Sequence, residues 1–460
     1  MKKCLWSVVL CLVVWSAEAQ FQTSSDGRYI LRDGKPFFWL GDTAWELFHR
    51  LNKEQADYYL HKRAEQGFTV IQAVVLAEFD GLREANPYGD LPLLYDDPRQ
   101  PNEKYFQHVD YIIDAAAKVG LTIALLPTWG DKLFKSTWGA GPEVFTEANA
   151  KVYGQWIGQR YKDRKNVIWV LGGDRNPRHD QDVRVWRAMA AGIQDGVGGA
   201  DKAYMTFHPQ PHDLGSAAWF HEDTWLDVNM FQTGHCRDLP VYDNMQKAYQ
   251  LTPAKPVLEG EPIYEDHPVC FNAKDLGTSN TIDVRKAIYL DLFAGACGAT
   301  YGCHDVWQMY SPYRPAVNGP HVYWQQALEL PAANQMKYVR RLMESRPMLD
   351  RVPDQTMVVE NALGPADRIQ ATRGKDYLMV YSAYGLPFTV HLSKISGAEL
   401  QVTWFDPRTG ETKSMDKIQN RGSHKFHPPT SGYGRDWSYS WMMHKRVILS
   451  HNQCYVWKRA

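Results

Sequence analysis

Val167-Ile-Trp-Val-Leu-Gly-Gly-Asp-Arg-Asn176 opens as five apolar residues and closes on two glycines, a carboxylate, a guanidinium and an amide. An unbroken apolar run of this length, preceded by Lys165-Asn166, reads as a strand covered on both faces. Glycines at a strand end let the backbone turn sharply and come close to a ligand. Taken alone, the stretch also suits a buried strand followed by a turn and a helix N-cap. What the other apolar runs end in decides between that and a catalytic Asp174.

Seven further apolar runs flank it, over residues 37–41, 69–75, 121–126, 203–207, 226–231, 256–258 and 299–302. Helical segments fall between them. One over 53–66 is stopped by Gly67, one over 102–119 by Gly120, and one over 146–162 takes Thr146 as its N-cap. Others cover 182–194, 243–250 and 283–294, and a last one over 321–343 is broken at Pro331. Eight strands alternating with helices over about 300 residues predict an α/β fold, a (β/α)8 TIM barrel. A doubly wound open sheet would carry a Gly-rich phosphate loop after its first strand, and Gly41-Asp-Thr-Ala-Trp45 is nothing like one. A hairpin with Asp33-Gly34 at its turn precedes the first strand. After residue 351 short β-rich runs follow closely, over 356–360, 368–372, 377–382, 388–392, 400–405, 447–450 and 454–457. They predict a small C-terminal antiparallel β-sandwich. The domains are thus 1–19, 20–350 and 351–460.

Residues 1–19 read as a secretory signal, with Lys2-Lys3, an apolar stretch from Leu5 to Trp15 and Ala17-Glu-Ala19 at the cleavage site. The apolar stretch is too short to span a membrane, so a secreted or periplasmic protein is expected. With 51 Lys+Arg against 52 Asp+Glu there is no net field, and nucleic acid is a poor partner. Two of the seven cysteines leave with the signal, and the five others (Cys236, Cys270, Cys297, Cys303, Cys454) are too scattered for a disulfide framework or a zinc site. Their pairing stays open.

In a barrel all strand C-termini meet on one face, where active sites lie. The first strand ends in Asp42 and Trp45, the second in Glu78, the third in Trp129 and the fourth in Asp174 and Asn176. His208 ends the fifth, and Gln232 and His235 the sixth. Glu259, Glu261 and Tyr264 end the seventh, and His304 and Trp307 the eighth. Such a ring of carboxylates, imidazoles and indoles suits a polyhydroxylated substrate. Glycoside hydrolysis needs one carboxylic acid to protonate the leaving oxygen and one carboxylate as nucleophile or base. Asp174 and a glutamate of the seventh strand are the candidates. Glu259 and Glu261 are two apart, so in an extended strand they point the same way. Position favours Glu261, which lies beyond Gly260 with Pro262 after it. The indoles are expected as stacking surface, so Trp307→Ala should weaken binding without lowering the melting temperature.

The motifs FWLGDTAW (38–45), VIQAVVLAE (70–78), WVLGGDRNP (169–177), MFQTGH (230–235), KPVLEGEPIYE (255–265) and YGCHDVWQ (301–308) together resemble the apiosidase family of glycoside hydrolases of gut Bacteroidetes. The terminal domain resembles one named for collagen binding in collagenases. The resemblance implies a secreted hydrolase of plant cell-wall pectin, acting on apiosyl linkages of rhamnogalacturonan II. It implies Asp174 as acid/base and Glu261 as nucleophile, and we expect retention of configuration. The other strand-end residues are substrate-binding candidates. Barrel glycosidases of the wider clan usually carry Asn-Glu at the end of strand four, where this chain has Gly173-Asp174; Asn176 is the candidate substitute for the missing Asn.

A metal-dependent hydrolase would use His208, His235 and His304, but the His-x-His expected on the first strand is missing, and no metal or cofactor is expected. A non-enzymatic collagen or carbohydrate binder is the other alternative. Neither a Gly-X-Y tract nor a His-Glu-x-x-His motif is present.

Overall fold

A computed structural model describes residues 21–359, 364–392 and 394–443. The expected signal segment, Cys454 and the runs at 447–450 and 454–457 lie outside the described residues. Eight short parallel strands carry the N-terminal part: β1 (Leu40–Thr43), β2 (Val70–Leu76), β3 (Thr122–Thr128), β4 (Val167–Gly172), β5 (Met205–His208), β6 (Asn229–Gln232), β7 (Val257–Glu261) and β8 (Ala299–Tyr301). Six form one curled sheet in the order β8-β1-β2-β3-β4-β5, and β6 and β7 form a parallel pair. Single bridges join the two at both seams, Thr206 to Val228 and Glu265 to Cys303.

Helices follow the strands as the hydrophobic periodicity demands. They are α1 (Lys53–Glu65), α2 (Glu103–Lys118), α3 (Glu147–Tyr161), α4 (Asp180–Val197), α5 (Val241–Tyr249), α6 (Thr281–Phe293) and α7 (Pro331–Glu344). Asn52, Thr146 and Asn280 close capping boxes at α1, α3 and α6. The expected break at Pro331 is the first residue of α7, where its missing N–H costs nothing. The predicted Asp33-Gly34 turn is present, both residues having positive φ. Its hairpin lies at the strands' N-terminal end, with Thr23 on Tyr204 and Arg32 on Thr122.

The first strand begins three residues later than its apolar run. Asp42 therefore lies inside it rather than after it. Its carboxylate is fully buried and turned toward α1, where Arg63 Nε donates at 2.6 Å and the Tyr59 hydroxyl donates as well. Asp42 is thus an internal tie between strand and helix, a correction to its placement at the cleft. Removing it would leave Arg63 buried without its counter-charge, which costs about 3–5 kcal/mol. Asp42→Ala is expected to lower the melting temperature by several degrees in a thermal scan; an unchanged melting temperature would refute this role.

The C-terminal part holds antiparallel sheets. The larger runs in the order Val352–Pro353, Ile369–Arg373, Tyr377–Ser382, Trp437–Met443, Glu399–Phe405, Thr412–Ser414, with Ile418–Gln419 also on the Glu399–Phe405 strand. The smaller pairs Phe388–His391 with Ser423–Phe426. Trp404, Phe388 and Tyr439 share the core between them. The run expected at 356–360 is instead a 3-10 turn, Gln355–Met357, leading to a single bridge at Val358. The central strand Trp437–Met443 has no counterpart among the predicted runs. This part is fastened to α6: Arg285 forms a two-pronged bond with Asp436 at 2.7 and 2.5 Å, and Tyr289 stacks on Tyr381 at 4.8 Å.

Candidate active site

The strand ends open into a cleft of about 610 Å³. Asp174, Glu261, Trp45, Glu78, Trp129, Gln232, His235, Tyr264 and Trp307 line it, as expected from their strand-end positions. Phe79, Trp138, Pro211, His267, Phe271 and Asn318 also line it. These lie in loops, where no periodicity marks them. Asp42, Asn176, His208, Glu259 and His304 do not line it.

Asp174 arrives through three successive residues of positive φ: Gly172 at 88°, Gly173 at 105° and Asp174 itself at 55°. A Cβ on Gly173 would meet Gly130 N at 2.8 Å and Trp129 Cε3 at 2.9 Å. Left-handed backbone is uncommon for a non-glycine residue, and such strain collects at functional sites. Burial, and then the charge of Glu261, push the Asp174 carboxyl up to about 7. The carboxyl is therefore protonated in a substantial share of molecules near neutrality. Asn176, the candidate substitute, accepts from Gln210 N at 2.9 Å and ties the β4 loop to the β5 loop.

Glu259 and Glu261 do not point the same way. A β-bulge interrupts the register between them: Glu259 pairs with Phe231, and Glu261 with the next residue, Gln232. Gly260 sits at the bulge, where a Cβ would lie 2.6 Å from Met230 Sδ. Glu259 turns from the cleft. One of its oxygens accepts from Thr233 N at 3.0 Å and from Glu261 N at 3.2 Å. Burial and then its own charge hold Asp291 of α6 well above the usual carboxylate range.

Glu261 faces the cleft between two imidazoles. His235 Nε2 donates to one oxygen at 3.1 Å, and His208 Nε2 lies 3.1 Å from the other. Burial would raise this carboxyl, but His208 and His235 outweigh it and hold it well below the usual range. His208 is itself buried against Trp45 and Trp129, which explains its absence from the lining. His304 likewise stands behind the wall. Its Nδ1 accepts from Trp307 Nε1 at 3.3 Å, and its ring meets His267. Among the described residues no three His, Cys, Asp or Glu side chains converge as metal ligands.

Glu78 supplies a third carboxyl to the cleft, pushed well above its ordinary value by burial and then by Asp131 and Asp174. Gln232 Oε1 and Trp129 Nε1 are buried on the lining without a protein hydrogen-bond partner. Buried polar groups are costly unless bonded, so these atoms suit a hydroxylated ligand. A disulfide, Cys236–Cys270, clips the loops after β6 and β7 and holds His235 beside Phe271. Cys297 and Cys303 are buried and free.

Trp45, Trp129 and Trp307 are 2%, 2% and 8% exposed. They present edges to the cleft from within the core, rather than free faces at its mouth. Loss of a buried aromatic costs about 3–5 kcal/mol. Trp307→Ala is therefore expected to lower the melting temperature by several degrees, contrary to the expectation from sequence; calorimetry of the variant checks this, and an unshifted transition would refute it.

A curled parallel sheet with paired carboxyls of opposed acidity at its strand ends is the equipment of a glycoside hydrolase. The family model described as "Apiosidase-like, catalytic domain" matches residues 24–350, and the chain belongs to that family. Residues 352–439 match the model described as "Putative collagen-binding domain of a collagenase". Among solved structures, one named "Glycoside hydrolase" is 34% identical, covers 94% of this chain and 98% of its own, and superposes with a TM-score of 0.84. Another, a glycoside hydrolase family 5 from Bacteroides vulgatus ATCC 8482, is 33% identical over 94% of this chain and 95% of its own, with a TM-score of 0.85. A third, at 14% identity and a TM-score of 0.65, shares the fold. No curated protein matches the chain.

Proposed function

We propose that this glycoside hydrolase cleaves apiosyl linkages in rhamnogalacturonan II side chains of plant pectin. Asp174 is the acid/base and Glu261 the nucleophile, and the reaction retains configuration. The observation that carries the assignment is the contrast within one cleft. Glu261 is held ionised by two imidazoles, while Asp174 beside it is pushed up to about 7. Two carboxyls whose surroundings separate their acidities divide acid and nucleophile roles in this way. In the first step Glu261 attacks the anomeric carbon as Asp174 gives its proton to the leaving oxygen. In the second, Asp174 takes a proton from water, which displaces Glu261.

The bridges at both seams support a closed (β/α)8 barrel, which brings β4 and β7 to one mouth. The sugar specificity rests on membership of the apiosidase-like family. A secreted or periplasmic location rests on the N-terminal segment Met1 to Ala19. Among the described residues no helix is long and apolar enough to cross a membrane. Incubation with rhamnogalacturonan II fragments, followed by mass spectrometry, tests the proposal. Release of apiose or an apiose-terminated side chain supports it; release only of other sugars refutes the specificity.

A further inference from the structure

Trp138 differs from the other indoles of the cleft. It is 43% exposed on the lining, whereas Trp45, Trp129 and Trp307 are buried. An exposed large aromatic is informative when its backbone is held rigidly, and this one is. Three fully buried charged residues brace its loop. Asp131 accepts from Ala140 N at 3.1 Å, and Lys132 Nζ donates to Ala140 O at 3.2 Å. Arg175 donates to Phe134 O at 3.2 Å and to Trp138 O at 2.6 Å. Burying charge is expensive, and here it serves to hold one short loop. The Arg175 guanidinium also lies over one face of the indole, 4.6 Å from its centre, so the free area is the other face and the edges.

We propose that Trp138 is the platform of a leaving-group subsite, on which the C–H face of a six-membered sugar ring stacks. The side of the cleft follows from Arg175. It succeeds Asp174 directly and donates to Asp174 O at 2.6 Å as well as to Trp138 O. A glycosidase acid protonates the leaving oxygen, so the leaving sugar lies on the acid's side. This inference rests on Asp174 being that acid. The substrate class is accordingly a sugar linked to a pyranose, rather than to a small aglycone.

Binding separates this inference from the catalytic one. Glu261→Gln protein is titrated with pectic, xylan and mannan oligosaccharides by calorimetry, alone and with Trp138→Ala or Trp138→Phe added. Trp138→Ala is expected to weaken oligosaccharide binding by about tenfold or more, Trp138→Phe to restore most of it, and neither to shift the melting temperature appreciably. Equal affinities with and without Trp138, or no binding of any oligosaccharide by the Glu261→Gln protein, would overturn the subsite. Tight, Trp138-dependent binding without any product from the wild-type enzyme would leave the subsite standing and refute the hydrolytic assignment.

Discussion

Glu261→Gly is expected to reduce kcat on the natural glycoside by more than about 10⁴-fold, and azide to restore turnover with an inverted glycosyl azide as product. Truncation to glycine removes the carboxylate and leaves room for the anion beside His208 and His235, whose nitrogens both lie 3.1 Å from the lost oxygens. Those imidazoles then face a small anion instead of their carboxylate, which favours its capture. The wild-type enzyme given methanol should form a methyl glycoside of the original configuration. Glu259→Gly is the matched control. Glu259 does not line the cleft, so that variant should lose stability and orientation of the Glu261 backbone, without rescue by azide. Azide rescue of Glu259→Gly alongside near-normal activity of Glu261→Gly would show that the two glutamates have exchanged roles.

Asp174→Asn should lower kcat/KM on natural glycosides by about 10²–10⁴-fold, while largely sparing substrates whose leaving group needs no proton. The pH profile adds an independent reading. An acid must hold its proton, so activity is lost as pH rises through a midpoint near 7, where Asp174 titrates. The nucleophile must be ionised, and Glu261 stays so far into the acid range. The profile should therefore be flat on the mildly acidic side and fall through neutrality. That midpoint belongs to the interacting Asp174–Glu261 pair rather than to either residue alone. With a well-activated leaving group, the Asn variant should lose the alkaline fall. Equal losses on good and poor leaving groups would contradict an acid role for Asp174.

Amino-acid order alone determined the alternation of strands and helices, because core-facing periodicity is written locally in apolar spacing. It likewise placed Asp174, Glu261, His235 and Gln232 at strand ends, since a strand's last residues are known once its apolar run is. The capped helices and the Asp33-Gly34 turn were legible for the same reason. The strand Trp437–Met443 was legible in principle from its Trp-Ser-Tyr-Ser alternation, yet no predicted run covers it. Other features depend on contacts between residues far apart in the chain. The bulge at Gly260 breaks the two-residue period and separates Glu259 from Glu261, and its cause is the approach of Met230 from the neighbouring strand. Asp42 turns to Arg63 on α1, a pairing 21 residues away that no strand pattern specifies. Which indole is exposed was also beyond local pattern. Trp45, Trp129 and Trp307 are covered by neighbours from other strands, whereas Trp138 stays free because Asp131, Lys132 and Arg175 hold its loop open to the cleft. The acidities of the two carboxyls belong to the tertiary structure as well, since burial and the imidazoles of β5 and the β6 loop set them, and neither acts until the chain has folded.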